Sequence, residues 1–144
     1  MTALDALQTT LAGEHAALYV YGALGGRTSA STAPALYAAL REGYDVHRAQ
    51  RDRLSRTIRD LGAEPVAAAP AYDLPEPLDS EIDVQRAAQD LEQRCAATYA
   101  AQVAQTVGDE RRWAIGALTG AAVRRLALGG DAEAFPGLDE PAEG

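Results

Sequence analysis

The sequence predicts an all-α protein, a four-helix bundle with one long crossover between its second and third helices. Three observations lead there. Of 144 residues, 32 are Ala and 47% are hydrophobic, yet Phe, Trp and Tyr together reach only 6%. Ala favours helices and suits strands poorly, so such a chain packs helix on helix. Apolar residues recur at spacings of three and four in four stretches separated by Gly and Pro. The stretch GAEPVAAAPAYDLPEPLD (62–79), with four prolines, is far longer than the other links. A length of 144 residues is one domain by size and is enough to bury a core.

The first helix is expected from Ala3 to Leu24, capped by Thr2 with Asp5 three residues on. Its seam is Leu4, Leu7, Leu11, Glu14, Leu18 and Tyr21, and Gly25 and Gly26 are its expected stop. The second starts near Thr32 and Pro34, with the seam Tyr37, Leu40, Tyr44, His47, Arg51, Leu54, Ile58 and Leu61; Gly62 and Pro65 end it. The third follows Asp79 or Ser80 and runs to about Val107. Val84, Ala88, Leu91, Cys95 and either Thr98 or Tyr99 face inward. Asp109 is the expected N-cap of the fourth, which spans about Glu110 to Leu128. Residues 1–130 thus form the bundle and 131–144 an irregular acidic tail, in which Phe135 and Leu138 are candidate anchors.

The connector decides the topology. A helix of about 28 residues is roughly 42 Å long. Eighteen extended residues reach roughly 60 Å, enough to cross the whole bundle. The second and third helices are therefore expected to run parallel.

Composition also excludes classes of function. The net charge of −8 argues against nucleic acid as a partner. No run approaches the roughly 20 apolar residues of a membrane span. The first fifteen residues lack a basic segment and an unbroken apolar one, so no signal peptide and a cytoplasmic location are expected. Cys95 is the single cysteine, unable to form an internal disulfide and expected to be a small buried apolar group. Arg41, Arg48, Arg53, Arg56 and Arg59 alternate with Asp45, Asp52 and Asp60, the pattern of a solvated helix face.

Charged residues interrupt two apolar seams: Glu14 in the first helix, His47 and Arg51 in the second. Such residues are costly unless paired or bound to metal. The stretches LAGEHAALYVYG (11–22), HRAQRDRL (47–54), AAAPAYDLPEP (67–77), LEQRCAATYAA (91–101) and FPGL (135–138) resemble the ferritin-like superfamily, and within it an uncharacterised actinobacterial domain family. The resemblance implies a ferritin-like bundle. Its di-iron members carry one Glu on helix one and Glu-x-x-His on helix two, repeated on helices three and four. Glu14 matches the first Glu and His47 the first His. Tyr44 stands where the second Glu belongs, and Glu42 and Asp45 lie about 140° and 160° around the helix from His47. Glu92 is a candidate on the third helix. The fourth, WAIGALTGAAVRRL, offers no ligand but two arginines. A full di-iron centre is therefore not expected.

Two readings of the seam follow. In one, Glu14, His47 and Arg51 form a buried network with the Tyr44 hydroxyl, the guanidinium replacing the metal. In the other, Arg51 extends to solvent and His47 is a satisfied core histidine. A mononuclear site from Glu14, His47 and Glu92, suited to iron or manganese, is an alternative to both. His15 points about 100° away from Glu14. Gly116, Ala117, Gly120 and Ala121 allow close helix approach, within the bundle or across a dimer. The sequence thus favours a structural or interaction module, a homodimer with no cofactor and an unknown protein or small-molecule partner. A metal-dependent oxidoreductase and a binder of a small apolar ligand between helices are the alternatives.

Overall fold

The computed structural model describes residues 1–132 and 136–138, and among them it is all-helical, with four helices. These are α1 (Ala3–Gly26), α2 (Pro34–Asp60), α3 (Glu81–Gln105) and α4 (Gly108–Ala127).

Local chemistry sets most of the helix ends. At the start of α1, Thr2 Oγ1 accepts from the Asp5 amide at 3.1 Å and the Asp5 carboxylate accepts from the Thr2 amide at 2.8 Å. Ser80 and Asp83 repeat this box at the start of α3. Gly62, with φ +79°, closes α2: its amide donates to the Arg59 carbonyl, and the Ala63 amide donates to that of Ile58. Ala63 then packs against the Leu54 and Ile58 cluster, completing a Schellman stop. Gly129 and Gly130 end α4 in the same way. Three expected boundaries are corrected. Gly25 and Gly26 lie inside α1, which the Arg27 cap ends. Asp109 is not the cap of α4, which begins at Gly108 after Val107, with no side-chain cap. Helix α3 ends at Gln105, short of Val107.

Pairings between side chains reveal the directions. Glu14 meets Tyr99 and Tyr21 meets Glu92, so α1 and α3 are antiparallel. His47 meets Glu92 and Gln50 meets Tyr99, so α2 and α3 run parallel. The connector returns along α1. Gln8 holds the Glu64 carbonyl and the Val66 amide, His15 Nε2 bonds the Val66 carbonyl at 2.9 Å, and Tyr72 stacks on Tyr19. His15 therefore fastens the connector and takes no part in the interior.

Two apolar clusters fill the bundle. The larger joins Val20, Leu24, Leu36, Leu40, Val84 and Leu91, among others. The smaller is Leu7, Leu11, Leu54 and Ile58 at the other end. Each such buried side chain contributes about 1.5–3 kcal/mol. Between these clusters lies a polar layer. Of the tail, Leu138 is exposed, while Phe135 falls outside the described residues.

Candidate functional site

The polar layer is built from all four helices. Glu14 (α1), His47 (α2) and Glu92 (α3) are 1%, 0% and 0% exposed. The His47 ring lies between the two carboxylates, with Nδ1 2.5 Å from Glu14 Oε2 and Nε2 3.0 Å from Glu92 Oε1. A carboxylate is an acceptor only, so a ring bonded to one on each nitrogen carries both protons. It is an imidazolium. Burial works against that charge, but the hydrogen bonds and charges of Glu14 and Glu92 outweigh it and hold His47 at a pKa of about 9.

Arg124 of α4 supplies the second cation. Its Nε and Nη2 donate to Glu92 Oε1 and Oε2 at 2.9 and 3.2 Å, a bidentate clamp. Burial would raise the Glu92 pKa; His47 and Arg124 overcome it and hold the carboxyl down at about 2. Arg124 is itself pushed up, against burial, by Glu92. Two carboxylates, an imidazolium and a guanidinium sum to zero charge. The layer is closed.

Hydroxyl and amide donors occupy the remaining lone pairs. Tyr21 donates to Glu92 Oε1 at 2.5 Å, and Tyr99 donates to Glu14 Oε1. Gln50 Nε2 donates to Glu14 Oε1 at 3.1 Å and to the Tyr99 hydroxyl at 2.8 Å. Burial and the adjacent carboxylates push both tyrosines up, so they stay protonated as donors. Burial likewise pushes the Cys95 thiol well up, as expected of an inert core cysteine. On the outer side, Tyr99 meets the Trp113 ring edge-on. Arg53 lies over Trp113 and binds Glu110 bidentately at 3.0 Å, latching α2 to α4.

Glu14 and His47 are thus brought together, and Glu92 joins them. Tyr44 and Arg51 are not. Tyr44 is 36% exposed, and the Arg51 guanidinium turns outward to Asp52 at 2.8 Å. The spacing Tyr44, His47, Arg51 takes three residues before His47 and four after it, and the inward face of α2 takes the reverse. The inward positions around His47 are Gly43, four before, and Gln50, three after. Gly43 is required there: a Cβ on it would stand 2.5–2.8 Å from the Tyr21 ring and hydroxyl. The Tyr21 ring crosses α2 only because that position is bare.

Sequence reasoning also missed Arg124, and a signal for it existed. Ala114, Ala117, Ala121 and Leu128 are the buried stripe at that end of α4, and Arg124 fills its vacant place at spacings of three and four. The small alanines let α4 lie close to α3, which brings the guanidinium within reach of Glu92.

The residues do not fit a metal centre. Glu14 and Glu92 lie on opposite nitrogens of one ring, so they do not converge on a point that His47 also faces. Arg124 covers both oxygens of Glu92. Among the described residues no group of three or more His, Cys, Asp or Glu is arranged to hold a metal ion. No helix there is long and apolar enough to cross a membrane.

The chain belongs to the family described as a domain of unknown function, DUF4439, whose pattern matches residues 6–140. The crystal structure of a conserved hypothetical protein, rv2844, from Mycobacterium tuberculosis is similar, with a TM-score of 0.81 and 29% identity over 88% of each chain. No curated protein matches the chain.

Proposed function

We propose that this chain is a ferritin-like bundle whose metal position is filled by its own charges, and that it serves as a cytoplasmic structural or interaction module. The observation that carries this reading is the double engagement of His47, with a carboxylate on each ring nitrogen and Arg124 on the second carboxylate. A cation entering would have to displace a bonded proton or a guanidinium and leave a buried charge unbalanced. The parallel α2 and α3, joined by a crossover, support the ferritin-like assignment.

Metal content tests it. Protein purified without chelator, then incubated with ferrous or manganous ion and desalted, should hold far less than one ion per chain by plasma mass spectrometry. Stoichiometric metal that Glu14→Ala abolishes would overturn the reading and restore the mononuclear site.

The outer face of α4 supports a homodimer. Ile115, Val123 and Leu126 are exposed there, while Ala117 and Ala121 are used inside the bundle. A Cβ on Gly116 would meet nothing, so no contact within the chain demands glycine at that position. Sedimentation should give twice the chain mass, and Val123→Glu should give the monomer. A monomeric wild type would end the dimer reading alone.

A further inference from the structure

A second cavity, on the opposite side of α3 from Arg124, has no part in the charge layer. It measures about 320 Å³ and lies between α1, α3 and the connector. Gly13, Ala16 and Val20 of α1 face Leu91 and Cys95 of α3 across it. The floor is largely apolar, and the hydroxyl of Thr98, which also lines it, is spent on the Cys95 carbonyl at 2.8 Å. Tyr72 of the connector closes one side and is held in place twice: its ring against Tyr19 at 5.5 Å, and its hydroxyl by the Ala69 amide at 2.9 Å. The wall is pre-formed. At this volume the cavity belongs at the small end of ligand pockets, which run from about 300 to 1,000 Å³.

The mouth carries charges of both signs. Asp73 and Arg94 both line it, of opposite sign, yet neither forms a salt bridge with the other or with any described residue. An apolar cavity with one cation and one anion at its rim complements a molecule with an apolar body and a head that carries both charges. We propose that the cleft binds a small apolar zwitterion, an α-amino acid of the size of leucine or phenylalanine. The carboxylate pairs with the Arg94 guanidinium, the ammonium with the Asp73 carboxylate, and the side chain lies on Ala16, Val20 and Leu91 under the Tyr72 ring. The polar layer is left intact, since none of Glu14, His47, Glu92 and Arg124 lines the cleft. This proposal is independent of the metal-free reading.

Isothermal titration calorimetry on the full chain tests it, with L-leucine and L-phenylalanine as probes. Each is compared with its acid lacking the amine (4-methylpentanoate, 3-phenylpropanoate) and its amine lacking the carboxylate (3-methylbutylamine, phenethylamine). One of the amino acids should bind saturably, and loss of either charge from the ligand should weaken binding by roughly tenfold or more. Arg94→Gln and Asp73→Asn should each do the same. Gly13→Leu should abolish binding by placing a side chain in the cleft. A Cβ at Gly13 makes only ordinary contact with Thr98, at 3.7 Å, and Leu is the better helix former, so the fold is kept. Three results would overturn the proposal: no saturable binding of either amino acid at millimolar concentration, an acid or amine binding as tightly as its amino acid, or binding undiminished in Gly13→Leu. If Gly13→Leu fails to fold, unchanged affinity in Arg94→Gln overturns it equally.

Discussion

Helix α3 buries polar side chains at two levels about three turns apart, and the bundle treats them in opposite ways. At Glu92 every oxygen is occupied, by His47, Tyr21 and Arg124. At Gln102, equally buried, neither the amide nitrogen nor its oxygen has a hydrogen-bond partner among the described residues. The first level is charged and satisfied, the second neutral and unsatisfied. The contrast shows that burial of a polar group does not by itself say whether that group stabilises the fold. What decides it is the set of partners supplied from other helices. Breaking the first level exposes a hidden charge; changing the second removes a cost already present.

The largest effect should come from emptying the centre of the charged level. His47→Leu leaves Glu14 and Glu92 facing one another with one cation instead of two, and should cost about 3–5 kcal/mol in denaturant unfolding. A loss below about 1 kcal/mol would mean that the layer is not closed as described.

Titration reads the same level without mutation. His47 is held at about 9 against an ordinary 6.5, so its stabilising contribution is full below pH 6.5 and is lost as pH rises through 9. Glu92 is held at about 2 against 4.5, so its contribution is full above pH 4.5 and is lost as pH falls through 2. The urea midpoint should therefore be highest near pH 5–6 and decline on both sides. In His47→Leu the decline between pH 6.5 and 9 should be absent, and its persistence would assign it to other groups.

Gly43→Ala probes how tightly the charged level is packed. A methyl group 2.5–2.8 Å from Tyr21 must push that ring off Glu92, at about 1–3 kcal/mol. In a Tyr21→Ala background the same change should cost nearly nothing, and an unchanged cost there would show that the two sites are not coupled.

At the unsatisfied level the sign should reverse. Gln102→Leu should raise stability by about 1–2 kcal/mol, since it removes an unpaired amide. Destabilisation would show that Gln102 has a partner after all. The smallest effect belongs to Arg51→Ala, which removes a surface pair with Asp52 and should stay within about 0.5 kcal/mol by the same assay. A larger cost would return Arg51 to the interior network.

Much of this protein is legible in its sequence, because much of it is local. Thr2 with Asp5, Gly62 with the residues just before it, and the spacing of Leu4, Leu7 and Leu11 act within one or two turns. They set the start and seam of α1 and the end of α2 without reference to a neighbour. The eighteen residues and four prolines of the connector likewise imply a crossover from chain length alone. Glu14 and His47 stand out as charges in apolar seams for the same reason. The remaining members of the layer are not local. A period of 3.6 makes positions three and four apart almost equivalent, so one helix alone does not say whether Gly43 or Tyr44, Gln50 or Arg51, faces inward. That choice is made by the rotation of α2 against α1, where the Tyr21 ring needs the space that Gly43 leaves. Arg124 reaches Glu92 only through the rotation and close approach of α4 on α3, set by alanines that carry no charge signal of their own. Individual helices were written in the sequence; the neutral cluster at their centre exists only where all four meet, because its charges find their partners on other helices.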